Sequence, residues 1–162
     1  MKPSSGSYRA TKTYCHNVGL TCAFRQWTAK TAWPREKSYC HFVHGYALQI
    51  SFVFEASELD DRNWVVDFGA LRGLKKELKR VFDHKVVVAH DDPHLDYFLQ
   101  GKDLGVMDVI VLKDSTVGCE GFAKLAYELA TQELEKLGVN TRVTVVSAEV
   151  REHGANSAIY FG

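Results

Sequence analysis

The chain has 162 residues, of which 46% are hydrophobic and 25% are charged, as in an ordinary globular domain. Twenty basic residues balance twenty acidic ones, so the sequence lacks the basic excess of a nucleic-acid-binding protein. It also lacks an apolar stretch long enough to span a bilayer and the apolar core of a signal peptide. The four cysteines have no CxxC spacing. We expect a cytoplasmic protein with reduced thiols and with neither a nucleic-acid nor a membrane partner.

The amino-terminal third predicts a tail and two strands. Residues 1–10 are polar and are expected to form a disordered tail, and residues 11–162 are expected to form one domain. Residues 11–27 predict a strand with a bend at Gly19, because the even positions from 14 to 24 are mostly apolar. Residues 28–39 are expected to be a loop, and residues 46–55 alternate most clearly. The charged turn at residues 58–63 predicts a hairpin into residues 64–66.

The hydrophobic period then changes to that of a helix. Leu71, Leu74, Leu78 and Val81 recur in steps of three and four, with Asp67 ahead of them as a candidate cap. A short apolar segment at 86–88, a turn at 90–94 and a strand at 106–112 are expected next. A second helix is expected at 119–137, followed by a hairpin of residues 142–150 and 157–161. Together, the elements predict an α+β fold with an antiparallel four-stranded sheet and two helices on one face.

One candidate site precedes the clearest strand. Cys40, His44 and Tyr46 are separated by even numbers of residues, so their side chains share a face of an extended chain, and His41 points away. A thiol near an imidazole can serve as a nucleophile or a proton donor. The alternative is a cysteine that packs as a small hydrophobic residue.

Two further candidates carry carboxylates. Asp83 can orient His84 for proton transfer, or the pair can simply be the polar end of a helix. Glu152, late in a predicted strand, can accept two parallel hydrogen bonds from the edge of an amidine-like ring. The alternative is a solvated turn residue.

These motifs, taken in order, resemble the 6-pyruvoyltetrahydropterin synthase and 6-carboxytetrahydropterin synthase family from about residue 23 to residue 162. The motifs are Cys40 with His44-Gly45-Tyr46, Trp64-Val65-Val66-Asp67-Phe68, Asp83-His84, Gly118-Cys119-Glu120, and Val150-Arg151-Glu152 with Ile159-Tyr160. An extra segment, about residues 97–114, separates the third motif from the fourth. In the fourth motif only the glutamate is kept.

The resemblance implies a tunnelling fold and a homohexamer of two stacked trimers, with the active site at a subunit interface. It implies that Glu152 anchors a pterin ring, with Cys119 and Glu120 in the same substrate-binding region. It further implies that Cys40 is the general acid/base. Asp83 and His84 would then be its catalytic partners in proton transfer.

The resemblance also implies a zinc ion held by three histidines, and here the sequence departs from the family. His44 is the only histidine at a family ligand position, while Tyr46 and Thr28 stand at the other two. Neutral oxygen donors bind zinc more weakly than imidazoles do. We therefore expect zinc to be absent or weakly bound.

The function implied is that of a 6-carboxytetrahydropterin synthase-like lyase. It would cleave carbon–carbon or carbon–oxygen bonds of 7,8-dihydroneopterin triphosphate, in 7-deazaguanine (queuosine-type) or pterin biosynthesis. Loss of zinc ligands leaves two alternatives open. One is a zinc-independent enzyme acting on a pterin or purine, and the other is a non-catalytic binding protein on the same ring scaffold.

Overall fold

The computed structural model describes residues 6–15, 20–31 and 38–162. The strands are β1 (Tyr8–Tyr14), β2 (Thr21–Phe24), β3 (His44–Ala47), β4 (Gln49–Ala56), β5 (Lys85–Ala89), β6 (Val109–Leu112), β7 (Val143–His153) and β8 (Asn156–Phe161). The helices are α1 (Arg72–Phe82), α2 (Leu95–Asp103) and α3 (Cys119–Lys136), with short 3-10 helices at Trp27–Thr31 and Tyr39–His41.

The first sheet is antiparallel, with the strand order β1-β4-β7-β8. Its inner face carries the alternating apolar residues of β4, and Ile50, Phe52 and Phe54 are fully buried. Helix α3 packs on this face through Phe122 and Ala126. The expected α+β class with a four-stranded antiparallel sheet is therefore confirmed.

A second sheet, which the sequence did not predict, has the strand order β3-β2-β5-β6. Strands β2 and β3 are antiparallel, whereas β5 runs parallel to both β2 and β6. Helix α2 packs on β5 and β6 through Phe98, which contacts Val88 and Val109. The predicted extra segment thus contributes a third helix and an edge strand to the described part of the chain.

The strand predicted at residues 46–55 is divided at Leu48. Strand β3 belongs to the second sheet and β4 to the first. Leu48 is fully buried between them, and its N–H donates to the carbonyl of Leu20 (3.0 Å). The strand predicted over residues 11–27 is also divided, since Tyr14 ends β1 and β2 starts at Thr21. The predicted bend at Gly19 lies outside the described residues.

Three local predictions are corrected. Tyr8–Ala10, expected in a disordered tail, form the start of β1 and pair with β4. Residues 64–66 form no strand; the Trp64 N–H instead donates to the Asp60 carboxylate (2.9 Å) and closes a turn. Asp67 does not cap α1, because its carboxylate accepts from the Gly69 N–H (2.8 Å).

Both predicted helices are confirmed, and α3 ends where Gly138 takes a positive φ of 68°. None of the helices in residues 6–15, 20–31 and 38–162 is long and apolar enough to cross a membrane.

Candidate active site

A cavity of about 820 Å³ lies where the ends of both sheets meet the start of α3. It gathers residues from the end of β2, the 3-10 helix at residues 39–41, the start of β3, the loop before α3, and the β7–β8 hairpin. Its lining includes Phe24, Gln26, Cys40, His44, Thr116, Cys119, Glu120, Glu152 and Asn156. We call it the Cys40 cavity. Four of the predicted acid/base and substrate-binding residues therefore share one space: Cys40, Cys119, Glu120 and Glu152.

Cys40 is held at the cavity mouth by a short 3-10 helix. The Cys40 N–H donates to the Ser38 side chain (3.3 Å), and the Gln26 N–H donates to the Cys40 carbonyl (2.9 Å). These bonds fix the turn against the end of β2 and leave the cysteine exposed. His41 lines a different cavity, consistent with the prediction that it points away from Cys40 and His44.

Glu152 lies in a β-bulge, where the pairing between β7 and β8 shifts register, and it lines the cavity from there. Arg151 pairs with Ser157 and His153 pairs with Asn156, so Glu152 is the extra residue of a β-bulge. A bulge redirects the side chain of the extra residue. Glu152 is half-buried and lines the Cys40 cavity, rather than being a fully solvated turn residue.

The start of α3 forms another wall of the cavity. Cys119 is buried, and its thiol donates to the carbonyl of Val150 (3.2 Å). Burial, reinforced by the negative charge of Glu152, raises the pKa of Cys119 to about 11. At neutral pH Cys119 is therefore a protonated structural donor. Glu120 lies exposed in the first turn of α3.

The Asp83–His84 pair does not line the Cys40 cavity of its own chain. The Asp83 carboxylate contacts His84 Nδ1 (2.6 Å), although adjacent side chains rarely pair in this way. The positive φ of His84 (57°) accompanies this unusual pairing. The imidazole is 85% exposed beside a separate groove of about 510 Å³, whose lining includes Gly45 and Ala47. We call this the His84 groove.

Of the three positions inferred for zinc ligands, the structure brings His44 and Tyr46 together but not Thr28. The ring of His44 lies 4.8 Å from that of Phe24 and 5.7 Å from that of Tyr46, and Phe24 and Tyr46 are 6.2 Å apart, measured between ring centroids. Thr28 instead lines the cavity that contains His41. The structure therefore does not bring Thr28 beside His44 and Tyr46, because Phe24 lies there instead.

This Phe24–His44–Tyr46 cluster does not fit a zinc ion. Catalytic zinc normally has three protein ligands from histidine, cysteine or carboxylate side chains. Phe24 offers no donor atom and Tyr46 offers a phenol. Within residues 6–15, 20–31 and 38–162, no group of three or more His, Cys, Asp or Glu residues could hold a metal.

The sequence did not point to Phe24, because the third ligand position was assigned to Thr28 by counting residues along the chain and not by strand pairing. The strand register identifies it, since Phe24 pairs directly with His44 and Cys22 pairs with Tyr46. Side chains of paired residues point to the same face of a sheet. A prediction of the β2–β3 pairing would have been the signal needed.

Comparison with known proteins places these features in one family. The sequence model of 6-pyruvoyl tetrahydropterin synthase matches residues 20–162. The 6-carboxy-5,6,7,8-tetrahydropterin synthase of Rickettsia typhi is 32% identical over 60 residues, which are 36% of this chain and 44% of that relative. The aligned part thus spans less than half of that protein.

Solved structures show the same fold over almost the whole chain. An uncharacterized protein from Wolinella succinogenes has a TM-score of 0.78 and 21% identity, and covers 97% of this chain and 99% of its own. The 6-pyruvoyl tetrahydropterin synthase of Plasmodium falciparum has a TM-score of 0.64 and 16% identity, with 95% and 96% covered. The expected tunnelling fold is confirmed. From the match over residues 20–162, the chain belongs to the 6-pyruvoyl tetrahydropterin synthase family.

Proposed function

We propose that this chain is a 6-carboxytetrahydropterin synthase-like lyase that acts on 7,8-dihydroneopterin triphosphate, in 7-deazaguanine (queuosine-type) or pterin biosynthesis. The observation that carries the proposal is the convergence of Cys40, Cys119, Glu120 and Glu152 on one cavity. The reaction class is that of a carbon–carbon or carbon–oxygen lyase. The names of the matched relatives support a pterin as the substrate.

In this proposal, Glu152 anchors the ring. Its carboxylate can accept hydrogen bonds from two neighbouring N–H groups on the aminopyrimidine edge of a pterin. Two parallel bonds to a charged acceptor fix both the position and the orientation of the ring. The bulge that turns Glu152 toward the cavity supplies the required direction.

Cys40 is proposed to move protons at the side-chain carbons of the substrate. It is the exposed thiol of the cavity, whereas Cys119 is held protonated. The Asp83 carboxylate on Nδ1 orients the His84 ring and leaves Nε2 for proton exchange.

The separation of Cys40 and His84 bears on assembly. The two residues line different cavities of one chain, so His84 can serve Cys40 only from another copy. We therefore propose a homo-oligomer with shared active sites, and specifically the hexamer that the family resemblance implies. Strands β1 and β8 are the edge strands of the first sheet, and each has one side unpaired within the described residues. An unpaired edge can form hydrogen bonds with a strand of a neighbouring copy.

A second candidate function is zinc-independent binding of a pterin or purine, with or without turnover. The Phe24–His44–Tyr46 cluster favours it, because this donor set does not suit a catalytic zinc ion. Both candidates use Glu152 in the same way. They differ in whether the protein converts 7,8-dihydroneopterin triphosphate.

Turnover of 7,8-dihydroneopterin triphosphate, followed by liquid chromatography and mass spectrometry, tests the proposal. Wild-type protein should consume the substrate, and Cys40→Ala should reduce the rate by about 10²- to 10⁴-fold, the usual contribution of a general acid/base. Tyr97→Phe, at an exposed tyrosine of α2 that does not line the Cys40 cavity, is the control and should retain activity. Binding without turnover would support the second candidate, and absence of both would contradict the two together.

A further inference from the structure

We propose that Ser115, held in place by His90, donates a hydrogen bond to a phosphate oxygen of the ligand in the Cys40 cavity. The inference rests on the proposed function, because the phosphate belongs to 7,8-dihydroneopterin triphosphate. It adds a recognition residue, a positioning residue and a place for the phosphate. Neither Ser115 nor His90 belongs to the sequence motifs that carry the family resemblance.

The second sheet brings Ser115 and His90 together at one of its edges. Strands β2, β5 and β6 run parallel to one another, so their carboxyl ends meet at the same edge. His90 directly follows β5, and Ser115 lies in the loop after β6, which ends at Leu112. The His90 N–H donates to the carbonyl of Leu112 (2.9 Å). This bond fixes His90 beside the chain that leads to Ser115.

The side chains of Ser115 and His90 form a hydrogen bond. Ser115 Oγ lies 3.2 Å from His90 Nδ1. Ser115 lines the Cys40 cavity, whereas His90 does not line it and is exposed to solvent. When Nδ1 carries the ring hydrogen, it donates to Oγ, and the serine hydroxyl hydrogen is free to point into the cavity. The pair then presents one hydrogen-bond donor to a ligand.

The backbone holds Ser115 in an unusual conformation, with a positive φ of 61°. This conformation is uncommon for a residue other than glycine and persists only where the surroundings maintain it. The Val117 N–H donates to the Ser115 carbonyl (3.1 Å). The Thr116 carbonyl lies against Gly121 of α3, where a Cβ would overlap its oxygen. Ser115 is therefore in place before a ligand binds, which reduces the entropy lost on binding.

The layout of the cavity places a phosphate near Ser115. Glu152 is proposed to hold the ring at the β7–β8 hairpin, and Cys40 is proposed to act on the side-chain carbons. The Gln26 N–H donates to the Cys40 carbonyl (2.9 Å), and Gln26 follows β2. Cys40 is thereby tied to the same sheet edge as Ser115. A phosphate attached beyond the side-chain carbons extends along this edge.

The chemistry of Ser115 also suits a phosphate. Phosphate oxygens only accept hydrogen bonds, and a bond to a charged acceptor is stronger than one between neutral groups. Ser115 is half-buried and Thr116 is exposed, so the other phosphate oxygens can stay in contact with water. Glu120 and Glu152 also line the cavity and repel an anion. The phosphate is therefore expected on the side that the second sheet forms.

The test compares 7,8-dihydroneopterin triphosphate with 7,8-dihydroneopterin, which differ only in the phosphates. Both are titrated with fluorescence detection into full-length Cys40→Ala protein, which should not consume the triphosphate. Adding Ser115→Ala should weaken binding of the triphosphate by about 10- to 100-fold, the effect of one lost hydrogen bond to a charged acceptor. Binding of 7,8-dihydroneopterin should not change. Ser57→Ala, at an exposed serine outside the cavity, is the matched control and should alter neither affinity.

Two variants of His90 separate positioning from packing. In His90→Asn, the amide nitrogen can replace Nδ1 and donate to Ser115, so most of the triphosphate affinity should remain. His90→Ala should lose as much affinity as Ser115→Ala does. The double variant His90→Ala with Ser115→Ala should lose no more than either single variant, because both changes break the same interaction.

Each outcome has a distinct meaning. A Ser115→Ala variant that binds the triphosphate as its parent does would overturn the inference and leave the proposed function standing. Equal weakening toward both probes would also overturn it, because it would indicate a general effect on the shape of the cavity. Equal affinities of His90→Asn and His90→Ala would overturn the role of His90. Protein that binds neither probe, with Cys40 intact or replaced, would instead contradict the proposed function.

Discussion

The two thiols of the Cys40 cavity differ because their surroundings differ. Cys119 is buried and donates to a backbone carbonyl, and its pKa is raised to about 11. Cys40 sits exposed on a three-residue 3-10 helix. The thiolate is the reactive form of cysteine, so a raised pKa removes Cys119 from proton transfer near neutral pH. The geometry leaves Cys40 as the thiol available to a substrate.

The Phe24–His44–Tyr46 cluster gives a prediction about metal binding at the residue scale. Its rings are 4.8 to 6.2 Å apart between centroids, a spacing at which imidazoles could meet around one ion. The double substitution Phe24→His with Tyr46→His should therefore create a site for about one zinc per chain. Elemental analysis of purified protein after dialysis provides the measurement.

The single variant Tyr46→His is the control, because it supplies only two of the three imidazoles and should hold zinc much more weakly. Zinc content near zero in a folded double variant would show that the three positions do not converge. Wild-type protein with about one tightly held zinc per chain would contradict the account of the donor set.

From spacing alone, the candidate site could be predicted only where its residues are close along the chain; the family resemblance was needed to join Cys40 with Glu152. Cys40 and His44 were placed together by even spacing, and Asp83 with His84 by adjacency. Phe24 could not be found, because its place beside His44 depends on the β2–β3 register. Likewise, the position of Glu152 depends on a β-bulge, and the residue types in this segment do not predict one.

At the scale of elements, α1 begins without a side-chain cap of its own, and Leu71 is its N-cap residue. The buried carboxylate of Glu133, on α3, lies against Gly73 in the first turn of α1. A negative charge at a helix start is favourable because it faces the positive end of the helix dipole. The absence of a side chain at Gly73 makes this approach between the helices possible.

Gly73→Ala should therefore destabilise the protein, although alanine is the better helix former. A Cβ at this position would overlap the Glu133 carboxylate and displace it from its buried place at the start of α1. We expect a loss of about 1–3 kcal/mol, as for other overpacked sites, measured by urea unfolding at fixed protein concentration. Gly154→Ala, where a Cβ would meet open space, should be nearly neutral. Equal stability of the two variants would refute the contact.

Arg25 and Asp92 connect the end of β2 to the turn before α2. Two hydrogen bonds of 2.7 Å join the guanidinium to the Asp92 carboxylate, whose side chain is 1% exposed. Burial alone would raise the pKa of Asp92, but the hydrogen bonds from Arg25 and from the His94 N–H, with the charge of Arg25, lower it below its usual value.

This ion pair predicts a pH dependence of stability. Because the pKa of Asp92 is lower in the folded state, its stabilisation is complete above the unfolded-state pKa of about 3.9 and is lost as the pH falls toward the folded-state pKa. Asp92→Asn should cost about 1–3 kcal/mol at pH 7. The difference from wild type should shrink below about pH 4, as measured by urea unfolding across that range. A difference independent of pH would contradict the assignment.

Elements were predictable where one hydrophobic period covers the whole segment, as in α1 and α3. Prediction failed where a chain crosses between layers. Alternation continues unbroken through Leu48, so nothing in the pattern separates β3 from β4. The second sheet was missed for the same reason, since parallel pairing of β5 with β2 joins segments far apart in sequence.

At the scale of the whole molecule, the proposed chemistry requires more than one copy. Cys40 lines the Cys40 cavity and His84 stands beside the His84 groove of the same chain. Exposed Tyr39, Phe42 and Val43 surround Cys40 and would be covered in an interface. A heterologous contact of this kind forms a closed ring when its rotation returns to the first copy.

Complementation between inactive variants tests this arrangement. Cys40→Ala and His84→Ala should each be nearly inactive alone. Co-expressed, they should regain part of the wild-type rate, because some sites would combine an intact Cys40 with an intact His84 from another copy. Light scattering of the same samples should show a closed oligomer, a hexamer in our proposal. A fully active monomer would contradict it.

The central claim is that the Cys40 cavity holds a pterin ring through Glu152, and titration of Glu152→Gln with 7,8-dihydroneopterin tests it most directly. The substitution keeps the shape of the side chain but replaces one acceptor with a donor, so binding should weaken by about 1–3 kcal/mol, or roughly five- to 150-fold. Glu128→Gln, on the exposed side of α3, is the matched control and should bind as wild type does. We predict saturable wild-type binding that is weakened selectively in Glu152→Gln; equal affinity of wild type and Glu152→Gln would contradict the account.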